Sequence, residues 1–353
     1  MPLTLPGTLK LVQLKIVAQK CGIITTGTKT ILIRRLQDEI SQSQNESDAI
    51  SNSKEKAGKN VRILSIDMGI RNLAYCILDV PAKTVQLPGS LAGKGGGKGK
   101  EELPSIQAWH RLAVSSAPIV NGAEPLLKEA FDPETLSRAA YTLLRTRLLV
   151  AKPTHILIER QRFRSMGSSH ILEWTIRVNM FECILYAVLC TLKAEGLWEG
   201  TVRSILPGKV GPFWIPEDGE SKVDVPTEIL GESGIKEGEV KAKGKGRKKV
   251  RKTTSAKIKN KGAKIDLVRS WLGNGDMVHL GNEEVTEMAR RYVKKWDRAP
   301  GGRKKVVGVE DAEEKMGKLD DLADCLLQGM AWIKWEENKR AVMNYGAEVL
   351  LDP

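Results

Sequence analysis

Two short apolar segments that each end in a carboxylate constrain the fold of this chain more than any other feature. Residues 61–66 precede Asp67, and residues 155–158 precede Glu159. Apolar segments of this length are typical of strands at the centre of a sheet that is covered on both faces. A carboxylate at the end of such a strand is costly to bury unless it is paired or bound to a cation. Asp67 and Glu159 are therefore candidate ligands of a cation at the edge of a sheet.

Strand and helix patterns alternate along the rest of the chain. Asp132 precedes Pro133 and is a candidate N-cap for the helix that follows. The order predicts an α/β fold in which helices cover a mixed β-sheet. The predicted strands are 61–66, 73–80, 107–114, 155–158 and 202–206, and the predicted helices are 133–150, 171–193 and 318–337.

A third acidic motif, KLDDLAD, lies at the start of the last predicted helix. Asp321 and Asp324 are three residues apart and share a helix face, and Asp320 and Asp324, four apart, can share one as well. Carboxylates from two strands and one helix suit Mg²⁺, with Mn²⁺ as an alternative. Two such ions, about 3.5–4 Å apart, activate water and stabilise the leaving oxygen in phosphodiester hydrolysis. Each motif alone is more typical of a turn, a cap or a solvated helix start.

The charge of the chain indicates a polyanionic partner. The net charge is +13, and residues 236–264 contain 13 Lys and Arg against two Glu. That segment, which includes Lys257 and Lys259, is either a solvated insertion or an arm that contacts DNA phosphates. The longest apolar run, 183–190, is far shorter than the ~20 residues of a membrane span, so no membrane partner is expected.

Composition also divides the chain into domains. Residues 41–60 are polar and predict a flexible linker between an N-terminal unit, 1–40, and a main domain, 61–345. Low-complexity insertions are predicted at about 89–101 and 215–262 within the main domain.

Four strings identify a family. IDMGIRNLAY, IERQRFRS, EWTIRVNMFECILYA and KLDDLAD resemble the fungal mitochondrial cruciform-cutting endonucleases, which are RuvC-like Holliday junction resolvases, over roughly residues 61–340. The resemblance implies a ribonuclease-H-like fold, a mitochondrial location and a homodimer that nicks four-way DNA junctions in pairs with Mg²⁺. It also implies that Asp67, Glu159 and Asp324 are metal ligands. By its spacing Asp321 is preferred as the fourth ligand over Asp320, and the choice remains open.

The N-terminal unit resembles a SAP motif. The matching residues are Leu14-Lys15, Cys21-Gly22-Ile23, Gly27, Lys29, Leu32-Ile33 and Leu36. SAP units contact duplex DNA through two short helices, and Lys29 is a candidate phosphate contact. A generic helical hairpin is the alternative.

Two further hypotheses concern the DNA and the assembly. Arg160, Arg162 and Arg164 surround Phe163, a composition suited to stacking or wedging at the open centre of a junction, although an ordinary surface turn has the same residues. Residues 183–190 are apolar or aromatic throughout, so helix 171–193 needs a cover on both sides. We expect the second cover to be the same helix of a homodimer partner.

Three other functions fit parts of the pattern. An actin-like ATPase shares the Asp67-x-Gly69 turn but needs a second glycine-rich phosphate turn, which is missing. A catalytically silent DNA-binding protein of the same fold, such as a mitochondrial transcription or maintenance factor, is the main alternative. A nuclease for RNA–DNA hybrids is the third.

Overall fold

A six-stranded mixed sheet forms the centre of the fold. The structure, a computed structural model, describes residues 5, 8–52, 61–81, 103–114, 130–161, 171–215, 250–297 and 319–351, with the backbone alone at 44–52, 250–259 and 296–297. The strands are β1 (Val61–Asp67), β2 (Leu73–Val80), β3 (Ser105–Leu112), β4 (His155–Glu159), β5 (Thr201–Ile205) and β6 (His279–Leu280). Their order is β5-β4-β1-β2-β3-β6, with β1, β2 and β3 antiparallel and β4 and β5 parallel to β1.

The register of β1 and β4 places the two predicted carboxylates side by side. Ile66 pairs with Ile158 in the parallel ladder. Asp67 and Glu159 each follow these residues by one position, so they leave the same edge of the sheet at the same level. The predicted meeting of these two residues at a sheet edge is confirmed.

Helices cover both faces of the sheet. The helices are α1 (Leu11–Lys20), α2 (Lys29–Asn52), α3 (Pro133–Leu143), α4 (Glu173–Ala194), α5 (Pro207–Trp214), α6 (Val250–Asn274), α7 (Glu283–Asp297) and α8 (Leu319–Tyr345). Alternate residues of β1 point to opposite faces: Ile63 packs with α6, α7 and α8, whereas Leu64 packs with α3 and α4. The predicted α/β fold with helices on both faces of a mixed sheet is confirmed.

A buried amide fixes the position of α8 on the sheet. Gln328 is 3% exposed, and its Nε2 donates hydrogen bonds to Ser65 Oγ at 3.0 Å and to the carbonyl of Ile66 at 3.2 Å. A Cβ on Gly329, the next residue, would lie 2.7 Å from Leu78 Cδ1 and 3.3 Å from Ser65 Cβ, so a larger residue there would require the buried Leu78 side chain to shift. The helix that carries three acidic residues is thus held in register with the strand that carries Asp67.

Helix α4 has the length and composition of a membrane span, which the sequence analysis did not anticipate. It is the one helix with that property in the parts of the chain that the structure describes. Its buried residues Phe181, Leu185 and Leu189 pack in the core with Leu64 and Ile66 of β1. Core helices of globular domains pass the same test, and one face of α4 packs in the core while the opposite face is exposed.

The predicted boundaries of the linker and of the second insertion differ from the structure. Helix α2 continues to Asn52, so residues 41–52 are helical rather than part of a linker. Helix α6 begins at Val250, so residues 250–262 are helical as well. Neither stretch has a strong apolar stripe, so their polar composition did not predict a helix.

The N-terminal helices share a core with the C-terminal end of the chain. Leu14, Leu32 and Leu36 pack with Val342 and Leu350. Lys20 Nζ donates to the carbonyl of Leu350 at 2.7 Å. Gly22 adopts a φ of +67°, and a Cβ there would lie 2.2 Å from the Trp335 ring, so only glycine fits. The two predicted N-terminal helices are present, and they are docked on α8.

Candidate active site

Asp67 and Glu159 form the centre of an acidic cleft. The pKa of Asp67 is raised well above its ordinary value, first by burial and then by the hydrogen bond and the charge of Glu159. Asp324 and Asp321 raise the pKa of Asp67 further by their charges. Four carboxyl groups therefore lie close enough to repel one another, and full ionisation requires a compensating cation.

The first turn of α8 supplies the other carboxylates. Leu322, Ala323 and Cys325 are buried against the sheet, and this packing leaves Asp320, Asp321 and Asp324 to line the cleft. Burial raises the pKa of Asp324 most, and Glu159 and Asp320 raise it further, whereas Lys264 lowers it. Asp324 thus lies within the electrostatic reach of Glu159, as the hypothesis of a shared site requires.

Each aspartate of α8 has a basic partner. Lys264 Nζ lies 2.7 Å from Asp324 Oδ1, and Lys261 Nζ lies 2.5 Å from Asp320 Oδ2. The third pair joins Arg111 Nε on β3 to Asp321 Oδ2 at 3.0 Å. Arg111 also donates to Asn72 Oδ1 in the turn that follows Asp67. The cleft is therefore a network in which cationic side chains oppose the carboxylates.

The cleft has a volume of about 380 Å³ and opens beside the β1–β2 turn. It brings together all five acidic residues that the sequence singled out. A Cβ on Gly69 would lie 3.0 Å from the carbonyl oxygen of Asn72, so glycine allows this tight turn. The lining residues are Asp67, Met68, Gly69, Ile70, Arg71, Asn72, Glu159, Gln161, Trp174, Thr175, Val178, Lys261, Lys264, Asp320, Asp321 and Asp324.

The donor set fits a hard divalent cation. Carboxylate oxygens are the ligands that Mg²⁺ and Mn²⁺ prefer, and a cation among these carboxylates would relieve the repulsion that adds to burial in raising the pKa of Asp67. Within the described residues, no three acidic, His or Cys side chains converge closely enough to hold an ion as they stand. Lys264 Nζ contacts Asp324 Oδ1, so an ion that took this oxygen as a ligand would have to displace the lysine.

The predicted DNA contacts are placed unevenly. Arg160 is exposed at the end of β4, next to Glu159, and its backbone N–H donates to Ile205 at 2.8 Å. Lys29 begins α2, in the N-terminal unit. Lys257 and Lys259 lie on the α6 backbone, in the stretch without described side chains. Arg162, Phe163 and Arg164 lie outside the described residues.

Sequence reasoning missed several residues that hold this site together. Glu182 on α4 accepts a hydrogen bond at 3.0 Å from the backbone N–H of Gln161, two residues after Glu159. Burial raises the pKa of Glu182, and its bond to Gln161 lowers it. Arg111, Lys261 and Lys264 were missed as well. The lysines lay within a low-complexity region, and Arg111 is far from Asp321 in sequence.

Comparison with known proteins identifies relatives over nearly the whole chain. The family described as "Mitochondrial resolvase Ydc2 / RNA splicing MRS1" matches residues 63–342. The mitochondrial cruciform cutting endonuclease 1 of Schizosaccharomyces pombe is 25% identical over 345 residues, 98% of this chain and 99% of that protein. The Saccharomyces cerevisiae protein of the same name is 23% identical over 305 residues, which cover 80% of this chain and 70% of that protein.

A solved structure has the same fold. The crystal structure of the yeast mitochondrial Holliday junction resolvase Ydc2 superposes with a TM-score of 0.53 and 23% sequence identity, and the match covers 97% of this chain and 99% of that one. The ribonuclease-H-like architecture expected from the sequence is thereby confirmed.

Proposed function

Because the chain belongs to the mitochondrial resolvase Ydc2 / RNA splicing MRS1 family, we propose that it is a mitochondrial endonuclease that resolves four-way DNA junctions by metal-dependent hydrolysis. The observation that carries this proposal is the convergence of Asp67, Glu159 and Asp324 in one cleft at the edge of the sheet. The relatives named as cruciform cutting endonucleases and as a Holliday junction resolvase support it.

The family description covers an RNA-splicing protein as well as a resolvase, so membership alone does not choose between them. The acidic residues of the cleft favour the resolvase over a protein that only binds nucleic acid. A protein that only binds nucleic acid gains nothing from several acidic groups in the cleft, since they repel phosphates and cost stability in one another's presence. Their retention favours a nuclease over the catalytically silent alternative.

The proposed metal ligands are Asp67, Glu159, Asp321 and Asp324. Both aspartates have a basic partner, and Asp321 is preferred over Asp320 because its charge is among those that raise the pKa of Asp67. When bound, two Mg²⁺ ions would lower the pKa of a water and neutralise charge on the cleaved phosphodiester. Mn²⁺, with the same preference for oxygen ligands, would substitute.

The residues of the chain itself position these groups. Gln328 holds α8 against β1, and the bond between Glu182 and the Gln161 backbone holds the segment that leaves β4. Arg111 joins Asp321 to Asn72 and so links the first turn of α8 to the β1–β2 turn. These contacts order the segments that carry the carboxylates, which a site for ions at defined separation requires.

The basic balance of the chain supports DNA as the substrate. A net charge of +13 favours a polyanion. Arg160 lies next to Glu159, where a phosphate neighbour of the cleaved bond would lie. We propose that Arg162, Phe163 and Arg164 continue this surface to the junction centre, that Lys257 and Lys259 contact flanking phosphates, and that Lys29 contacts duplex DNA through a SAP-like unit.

A homodimer through α4 would provide two active sites for paired nicks. In the single chain one side of residues 183–190 is uncovered, since Cys183, Ala187 and Cys190 are exposed, and this is the side where we expect a partner's helix to provide the second cover. With Ile176, which is 53% exposed, and Met180 they follow the alternating four- and three-residue spacing of a helix–helix seam. The small residues in this stripe would let a second copy of α4 approach closely.

One gel experiment tests the proposed function. The purified chain is incubated with a four-way junction, a linear duplex of the same sequence and an RNA–DNA hybrid, each with Mg²⁺ or with Ca²⁺. We expect Mg²⁺-dependent nicks at symmetric positions of the junction alone. The Asp67→Asn variant, purified identically, controls for contaminating nucleases. Binding without cleavage in Mg²⁺ would support the silent alternative, and preferential cleavage of the hybrid would support a different substrate.

A further inference from the structure

Two aromatic rings and two guanidinium groups form a cluster at the mouth of the acidic cleft. Phe131 precedes α3, Trp174 lies in the first turn of α4, Arg71 lies in the β1–β2 turn, and Arg177 lies one turn further along α4. We name these four residues the aromatic platform. They come from three separate parts of the chain, and the proposed catalytic residues do not include them.

The side chains of the platform contact one another through an edge-to-face ring pair and cation–π contacts. The rings of Phe131 and Trp174 meet edge to face, with centroids 5.3 Å apart. The guanidinium carbon of Arg71 lies 5.4 Å from the Phe131 centroid and 5.0 Å from that of Trp174. Arg177 lies over Phe131 at 4.6 Å. The platform therefore presents rings and planar cations together, and these are the two kinds of group on which nucleobases stack.

The platform is open to solvent and continuous with the proposed active site. Trp174 is 38% exposed, and the neighbouring Leu172 is 68% exposed. Trp174 and Arg71 line the same cleft as Asp67. Exposed apolar groups that adjoin a cleft are typical of a binding surface.

We propose that the aromatic platform binds the nucleobase of the nucleotide next to the cleaved phosphate. This rests on the proposed function, which places a DNA phosphate at the carboxylates. Successive nucleotides are only ~3.4 Å apart along a stacked strand, so in a cleft of about 380 Å³ the neighbouring nucleotide reaches the wall that Trp174 and Arg71 form. There the Trp174 ring stacks on the base, and Arg71 contributes a planar cation that attracts both base and backbone.

A simpler role for the cluster is to attach the β1–β2 turn to α4. Both roles predict that loss of Trp174 harms the protein, but only base stacking predicts that the harm depends on the DNA base. The experiment is therefore a double-mutant cycle in which the affinities of two proteins for two junctions are compared. The proteins are the full chain and Trp174→Leu, and the junctions carry either a normal nucleotide or an abasic site next to the cut. Affinities are measured in Ca²⁺ at fixed salt.

With the normal junction, we expect Trp174→Leu to weaken binding by about five- to a hundredfold, the range for loss of one stacked base. With the abasic junction the two proteins should bind almost equally. Trp174→Phe, which keeps a ring, should retain most of the affinity for the normal junction that Trp174→Leu loses. Tyr141→Leu removes an exposed ring that does not line the cleft and should change neither affinity. Equal losses on both junctions would overturn the proposal and leave the attachment role.

A second measurement needs no variant and remains informative if Trp174→Leu does not fold. Photocrosslinking of the unsubstituted protein to junctions with 5-iodouracil beside the cut should attach the base to Trp174 or Phe131, as located by mass spectrometry. Crosslinks only at other residues would exclude the platform as the base site. Failure of the unsubstituted protein to bind any junction would instead count against the proposed function, and with it the proposal.

Discussion

The ammonium group of Lys264 lies 2.7 Å from Oδ1 of Asp324, at an oxygen that the proposed metal site requires. A divalent ion must therefore compete with a resident cation. We expect Lys264→Met to raise the affinity for Ca²⁺ or Mn²⁺ about fivefold, because a half-buried ion pair of this kind stabilises the closed arrangement by ~1 kcal/mol. Isothermal titration or Mn²⁺ paramagnetic resonance measures this without cleavage. Lys294→Met, an exposed lysine on α7, is the control, and an unchanged or lower affinity for Lys264→Met would contradict the competition.

Asp67→Asn should abolish most of the cleavage activity without preventing junction binding. We expect the cleavage rate to fall at least about a hundredfold, equivalent to ~3 kcal/mol of transition-state stabilisation, while junction binding persists. A variant that cuts at more than about a tenth of the normal rate would refute the assignment of Asp67 as a metal ligand.

The same substitution should stabilise the metal-free protein. The folded-state pKa of Asp67 lies above its ordinary value, so its favourable contribution is present at low pH and is lost as the pH rises through that pKa. At neutral pH an uncharged Asn avoids this loss, and we expect the unfolding temperature to rise by ~2–4 °C per kcal/mol gained. Asp38→Asn, a surface acid on α2, should leave it unchanged.

A matched pair of variants addresses the fourth ligand. Asp321→Asn should reduce single-turnover cleavage far more than Asp320→Asn, and the loss should shrink as Mg²⁺ is raised. The physical reason is that the charge of Asp321 is among those that raise the pKa of Asp67. Because both changes remove one charge from the same helical turn, the other variant is the control. A larger loss for Asp320→Asn would transfer the role to that residue.

The exposed stripe of α4 should hold the homodimer together. We expect light scattering to give a dimer for the unsubstituted chain and a folded monomer for Ala187→Glu, because two buried carboxylates at a symmetric seam cannot both remain charged. The monomer should nick one strand and release the junction. Tyr141→Glu places a charge on α3 away from the stripe and should remain dimeric. A monomeric unsubstituted protein that still makes paired nicks would refute the dimer.

His155 should make stability depend on mildly acidic pH. Burial lowers its pKa to about 4, and its ring contacts Trp332 with centroids 4.8 Å apart. A lowered folded-state pKa means that the unfolded chain binds the proton more tightly, so stability is lost as the pH falls from about 6.5 towards 4. His155→Phe should flatten the urea-unfolding profile in this window. An equally steep profile would assign the acid sensitivity to other groups.

The sequence predicted the central strands better than the surrounding helices and ion pairs. Local apolar patterns identify the strands, whereas the other features depend on contacts between residues far apart in the sequence. Residues 61–66 and 155–158 are apolar enough to be stable only at the buried centre of the sheet. Their burial also determines the position of Asp67 and Glu159, which follow them. By contrast, α6 has weak amphipathicity, and its lysines acquire a role only when the chain folds back on α8. Helix α7 was missed although Val285, Ala289 and Tyr292 recur at helical spacing, because charged residues dominate its composition. The pairing of Arg111 with Asp321 joins residues 210 positions apart, and no local pattern reports it.

The shared core of the N-terminal helices and residues 342–350 has a consequence for biosynthesis. Leu14, Leu32 and Leu36 emerge from the ribosome long before Val342 and Leu350, which share their core. Until then the apolar face of α1 and α2 remains open to unwanted association, and a chaperone has an obvious target there. The docked form of α1 and α2 exists only after residues 342–350 have been made, so these helices do not reach that form as an isolated unit.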